Sequence, residues 1–230
     1  MNRKNIPVNK EELRELCKTL NLHHLSKIKS FERGGEIENI KYLFQMLSYE
    51  LNERRKNIIS INKRNSNLPD YDPARKFSGI NNWNLNNANK LAWFDTGQSL
   101  LIYGKCGVGK TDLACQICET LLQNKIKIYY VKVEPFLNAL KNPTVKENGI
   151  LLRKCDESDL VVLDELFYLP IDDGDLTILY KKLMSLLDKC QFIFISNRSP
   201  QEWKKFGQDK YIVETFTQRI VNVSRQIAIK

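Results

Sequence analysis

From residue 98 onward the chain alternates short, largely apolar runs with longer stretches in which apolar residues recur every three or four positions. The short runs at 98–103, 126–132, 159–164, 191–196 and 224–229 predict strands. The periodic stretches at 110–124, 134–141, 175–188 and 209–220 predict helices. Runs with no polar alternation are what a strand buried on both faces requires, and strand–helix alternation brings the strands side by side in parallel. The expected fold class is therefore α/β, a parallel sheet sandwiched between helices. Ligands of such sheets bind at the carboxyl ends of the strands, so polar residues that close an apolar strand are the candidates for chemistry.

The first third of the chain reads differently. Asn9 followed by Glu12 has the form of a helix-starting cap, and Leu13, Leu16, Cys17 and Leu20 follow at helical spacing until Gly34-Gly35 breaks the pattern. Ile37, Ile40, Phe44, Leu47 and Leu51 then mark one stripe of an amphipathic helix that would pack against a partner. Beyond the stripe come Arg54, Arg55 and Lys56, then Lys63 and Arg64. These could grip phosphates or form a solvated helix end. Residues 65–97 hold Pro69, Pro73 and an asparagine-rich stretch around Trp83, which predicts a connection with one packed turn about Trp83 and Trp93. The expected organisation is a helical, basic region at 1–76 that binds DNA or a partner, a linker at 77–97, and a nucleotide-binding domain at 98–230.

Charge sharpens that division. Residues 1–76 carry 16 Lys and Arg against 10 Asp and Glu, net +6, and the remainder 20 against 17, net +3. A positive surface favours polyanions, although a lysine-rich solvated surface has the same composition. No apolar run approaches the roughly 20 residues that span a bilayer, and no signal segment opens the chain, so the protein is expected to be cytoplasmic. The six cysteines are scattered through predicted elements, as suits reduced thiols, and Cys115-Gln-Ile-Cys118 lies inside a helix, where packing explains it better than redox chemistry.

The chemistry concentrates after the strand at 98–103. Gly104, Lys105, Cys106, Gly107, Val108, Gly109, Lys110 and Thr111 fit G-x-x-x-x-G-K-[ST], between a strand and a helix as the phosphate-cradling loop requires, with Asp112 next to it on the helix. Backbone N–H groups and the helix N-terminus would hold the phosphates of ATP, Lys110 would reach the β- and γ-phosphates, and Thr111 would offer its hydroxyl to Mg²⁺. The strand at 159–164 ends in Asp164-Glu165. An acidic pair at the edge of a buried strand needs a partner: Asp164 can hold the metal, directly or through water, while Glu165 deprotonates the attacking water. The strand at 191–196 ends in Ser196-Asn197-Arg198, where Asn197 could fix that water or simply form a turn. Asp172, Asp173 and Asp175 are expected to cap the following helix.

The phosphate loop, L-V-V-L-D-E-L-F-Y-L-P at 160–170, F-I-S-N-R-S-P-Q-E-W at 194–203 and T-F-T-Q-R-I at 215–220, in that order, resemble the IstB-like ATPases of insertion sequences and their relative, the DnaC helicase loader, within the AAA+ class. The resemblance spans roughly residues 37–230. It implies a helper ATPase that self-associates on DNA and hands it to a transposase or a replicative helicase; no motif that reads base edges is visible, which argues for binding duplex DNA with little sequence preference. It implies that Asn197 is the sensor residue and that Arg219 is an arginine finger for a neighbouring subunit's nucleotide. Gln218 stands where the family often has aspartate, and the second sensor arginine has no clear counterpart. A module in which ATP controls assembly with negligible turnover is the competing class of function.

Overall fold

The computed structural model describes residues 17–24, 36–77, 80, 91–206 and 209–229, with only the helical backbone at 36–45. The expected cap at Asn9 and Glu12, the start of the first stripe, and Trp83 lie outside these residues. By contacts the chain divides into two compact units, Met1–Ile61 and Asn62–Lys230.

In the first unit, helix α1 begins at Glu36; it runs to Asn65, so that its last turn belongs to the second unit. All five basic residues singled out above lie on this one helix. Cys17 is buried, whereas Leu47 and Leu51 of the apolar stripe are exposed. Arg54 is bonded to Glu50 at 2.7 Å and also to the carbonyl of Asn21, and Lys56 is bonded to Glu53 at 2.7 Å.

The second unit carries, in order, α2 (Ala92–Asp95), β1 (Ser99–Gly104), α3 (Lys110–Gln123), β2 (Ile128–Lys132), α4 (Val133–Lys141), α5 (Lys146–Asp156), β3 (Leu160–Asp164), α6 (Asp173–Leu187), β4 (Gln191–Ser196), a 3-10 helix (Pro200–Lys205), α7 (Lys210–Val223) and β5 (Ser224–Ile229). The strands form one parallel sheet in the order β2-β3-β4-β1-β5. Each expected strand and helix is present within three residues of its sequence bounds; α5 was not expected. Cys155 is its one fully buried residue, with Leu151 and Leu152 partly buried against the core, too short a set to read as a stripe.

Strand residues alternate strictly between two cores. Leu101, Tyr129, Val131, Val161, Leu163, Phe192 and Phe194 face α4, α6, α7 and Trp203, while Leu100, Ile102, Ile128, Tyr130, Leu160, Val162, Ile193 and Ile195 face α3. The first core is the more aromatic: Phe167 packs against Trp203 and Phe216, and Phe192 stacks on Phe194. Cys115 and Cys118 are buried and unbridged, as packing residues should be. Asp172 caps α6 by accepting the amide of Asp175 at 2.9 Å.

Two features of the second unit position the site. Gly104 ends β1 at φ 155°, beside Ile229 of β5, and a Cβ on it would drive into the Ile229 carbonyl oxygen. Residues 62–71, which fall inside the stretch expected to be helical and basic, are fastened to α3 and β2. Asn62 donates to the carbonyl of Lys125 (2.9 Å), Lys63 to Glu119 (2.9 Å), Asn67 to the carbonyl of Tyr130 (2.9 Å) and Tyr71 to Glu119 (3.3 Å).

Candidate functional site: a phosphate cavity at three strand ends

The strand order brings the carboxyl ends of β3, β4 and β1 together, and with them the three polar sequences that follow these strands. The turn after β1 is built by Gly107 at φ 81° and Gly109 at φ 94°, which lets the chain double back into α3 with its first amides directed at one point. A cavity of about 300 Å³ opens there. Cys106, Gly107, Gly109, Lys110, Thr111, Asp112, Asp164, Glu165 and Asn197 line it, joined by Arg75 and Tyr168. Gly104, Lys105 and Val108 complete the loop without lining the cavity. A larger cavity of about 440 Å³ shares Glu165 and Tyr168 but none of the loop, so phosphate chemistry belongs to the smaller one.

Lys110 is buried and donates to the Lys105 carbonyl at 2.7 Å, folded back over its own loop. Burial pushes its ammonium below the ordinary lysine value, with the Cys106 thiol and the Asp164 carboxylate acting in the opposite direction. An anion in the cradle would favour its charged form.

Asp164 is held on both oxygens. Oδ2 accepts from Thr111 Oγ1 at 2.9 Å and from Tyr130 Oη at 2.7 Å, while Oδ1 accepts the Glu165 amide at 2.6 Å. Burial and the carboxylate beside it push the Tyr130 phenol well above its usual range, so it acts only as a donor. A hydroxyl and a carboxylate converging beside the phosphate cradle are hard oxygen donors of the kind Mg²⁺ takes alongside a nucleotide. The residues present therefore fit that ion.

Glu165 sits at φ 64°, a left-handed conformation that a non-glycine residue adopts at some cost. Three bonds fix the turn: its own amide to Asp164, the Leu166 amide to the Ile195 carbonyl (2.9 Å) and the Tyr168 amide to the Glu165 carbonyl (3.1 Å). Its carboxylate meets Lys132 Nζ at 2.8 Å, because Lys132 ends β2 in register with Asp164. Both partners are partly exposed, so the pair is worth well under about 1 kcal/mol and exchanges readily.

Ser196 links the strand ends. Fully buried, it donates to the Leu166 carbonyl at 2.7 Å and accepts from Trp203 Nε1 (3.1 Å) and the Arg198 amide (3.2 Å). Asn197, the residue between Ser196 and Arg198, lines the cavity. Arg198 turns away, its guanidinium 3.9 Å above the Phe206 ring. Arg219 stands exposed on the last turns of α7, outside the cavity lining. Arg55 and Arg64 are exposed and make no ion pair among the described residues, whereas Arg54, Lys56 and Lys63 are already paired with carboxylates.

Three residues of this site carry no motif and were not singled out in the sequence: Arg75, Tyr130 and Lys132. Register could have found Lys132, since a parallel pairing of the two strands sets it beside the acidic pair. The others are recruited by tertiary packing alone.

A phosphate loop and an acidic strand end on this five-stranded parallel sheet define a P-loop protein of the AAA+ type. Residues 17–230 match the family described as IstB-like ATP binding protein, and the chain belongs to that family. It is 23% identical over 213 residues to the protein named for ATP binding in insertion sequence IS232 of Bacillus thuringiensis subsp. berliner, covering 90% of this chain and 85% of the relative. Among solved structures, domain III of the Thermotoga maritima replication initiation protein DnaA is similar at a TM-score of 0.54 and 26% identity, over 70% of this chain and 68% of that one. The DnaC helicase loader shares the fold at a TM-score of 0.54 and 19% identity, over 72% of this chain and 97% of the loader.

Proposed function

We propose that this ATP-binding protein of the insertion-sequence class is a Mg²⁺-dependent ATPase that assembles on duplex DNA and recruits or activates a transposase. The observation that carries the reading is the convergence of Lys110, Thr111, Asp164, Glu165 and Asn197 on one cavity at three adjacent strand ends.

The loop amides and Lys110 bind and orient the phosphates, and Lys110 neutralises charge that grows on the transferring phosphoryl oxygens. Thr111 and Asp164 would hold Mg²⁺, which would supply further charge neutralisation there. Glu165 leaves Lys132 and accepts a proton from the water that attacks the γ-phosphorus, as the bond to the bridging oxygen breaks and ADP departs. Asn197 orients that water. Arg219, exposed and outside the lining of its own cavity, serves a neighbouring subunit's nucleotide, which makes turnover depend on self-association. Arg54, Arg55, Lys56, Lys63 and Arg64 supply the cationic helix for the DNA backbone, with Arg55 and Arg64 the least committed to internal partners. The insertion-sequence relatives favour a transposase as partner over a replicative helicase.

Steady-state ATP turnover, with and without unrelated duplexes, tests this reading. Glu165→Gln should bind ATP like the parent and turn it over at least a hundredfold more slowly, roughly the scale of a general-base loss. DNA should stimulate the parent. Hydrolysis by Glu165→Gln at the parent rate would remove Glu165 as the base.

A further inference from the structure

Arg75 belongs to no motif, yet it closes one side of the phosphate loop. Its Nη1 donates to Asp112 Oδ2 at 2.8 Å and its Nη2 to the Gly107 carbonyl at 2.7 Å. The side chain crosses Gly109 so closely that a Cβ there would lie 2.5 Å from Arg75 Nε. The backbone that carries it is fastened to the same helix: Gln116 Nε2 donates to the carbonyls of Asp72 (3.2 Å), Pro73 (3.3 Å) and Arg75 (3.2 Å), and the Asp72 amide donates to Asp112 Oδ1 (3.3 Å). Arg75 is thus built into its place and does not wander over the surface.

Charge gives that placement a purpose. The cavity is lined by three carboxylates, Asp112, Asp164 and Glu165, and by two cations, Lys110 and Arg75. A polyphosphate brings more negative charge into this space, and without Arg75 the lining would offer it a single cationic side chain, Lys110. The guanidinium has five N–H donors in a rigid fork suited to phosphate oxygens. Two of its nitrogens are engaged by the loop and by Asp112, which leaves donors for a ligand.

We propose that Arg75 is a phosphate ligand of the nucleotide in cis, presented by the segment 62–77 and held ready by Asp112. The proposal rests on the assignment of the cavity as the ATP site. It makes segment 62–77 a direct reader of nucleotide occupancy, because the same side chain touches the loop, the helix α3 and the ligand.

The rival role is a brace that only keeps the loop in shape, and Asp112 separates the two. A brace fails when either partner is removed, so Arg75→Gln and Asp112→Asn would both weaken binding. For a phosphate ligand the signs differ: Arg75→Gln loses a charged contact, whereas Asp112→Asn frees the guanidinium and removes a negative charge from the cavity. Equilibrium binding of ADP and ATP to the full chain should give a Kd roughly ten- to a hundredfold higher for Arg75→Gln and a lower Kd for Asp112→Asn. Arg75→Lys, which keeps the charge without the fork, should fall between parent and Arg75→Gln, and it carries the test if Arg75→Gln lacks a cooperative melt. Parent-like binding by Arg75→Gln, or parallel weakening in both variants, overturns the proposal. Parent-like binding by Lys110→Ala would instead overturn the ATP site on which it rests.

Discussion

Replacing Tyr130 by Phe removes one oxygen from the interior and leaves the ring where it is. That oxygen donates to Asp164 Oδ2 at 2.7 Å, and Asp164 is only 5% exposed, so water cannot easily take its place. A hydrogen bond to a charged group is worth about 1.5–3 kcal/mol, and an under-satisfied buried carboxylate keeps its desolvation cost. Thr111 and the Glu165 amide still bond Asp164, which puts the loss in this range and not above it. For a unit of this size about 1 kcal/mol moves the melting temperature by roughly 2–4 °C, so Tyr130→Phe should melt roughly 3–12 °C below the parent. The preceding residue provides the matched control. Tyr129 is 7% exposed against 6% for Tyr130, but its hydroxyl makes no hydrogen bond among the described residues. Tyr129→Phe should therefore shift stability by no more than about 0.5 kcal/mol. Thermal melts and urea titrations of both variants give the comparison, and a Mg²⁺ titration of nucleotide binding should show a raised metal requirement for Tyr130→Phe alone. Equal melting temperatures for the two variants would refute the claim that the phenol holds Asp164.

Two further outcomes follow from the ionisable groups of the loop. The ligand-free Lys110 ammonium has its pKa pushed below 10.5 by burial, and bound phosphate should raise it again. Nucleotide affinity should then be constant below the depressed value and decline as pH rises through it towards 10.5; in that same window folding stability gains from this group, because the unfolded chain binds the extra proton. Affinity of the parent measured across alkaline pH, with Lys110→Ala as the flat control, checks the sign. Of the six cysteines only Cys106 is exposed, while burial pushes Cys115, Cys155 and Cys190 up to about 12. A thiol reagent should label one cysteine in the native protein, and ATP should slow that labelling; rapid modification of several thiols would contradict the packing.

Strands β1 to β4 were legible because burial on both faces leaves their central positions apolar, whereas β5 carries Ser224, Arg225 and Gln226 and shows only a short apolar end. The phosphate loop was legible because its spacing follows from the geometry of one turn. Asp164 and Glu165 were legible for a related reason, since charge at the end of an apolar strand is costly and calls for a partner. Helix α5 was not, because its apolar residues are confined to Ile150–Leu152 and Cys155, too short a run to show a periodic stripe. Nor was the place of residues 62–77. Their two prolines and polar composition read as a connection, but side-chain amides of Asn62, Asn67 and Gln116 fasten them to the core, and such bonds leave no periodicity behind. Arg75 illustrates the limit: its partners Gly107 and Asp112 lie more than thirty positions away, and only the folded chain brings them together.

The contact between Gly104 and Ile229 changes what a substitution in the phosphate loop means. Gly104 opens the motif, yet the group crowding it is the backbone of the last strand, so Gly104→Ala should push β5 off the sheet before it affects any phosphate. Gly109 is crowded by Arg75 and Gly107 by nothing within 4 Å, each with its own positive φ. Three glycines of one motif would thus fail for three reasons: a detached strand, a displaced arginine and a strained turn. Loss of nucleotide binding in a Gly104 variant would report on the assembly of the sheet, and the loop itself would be the wrong place to look for the damage.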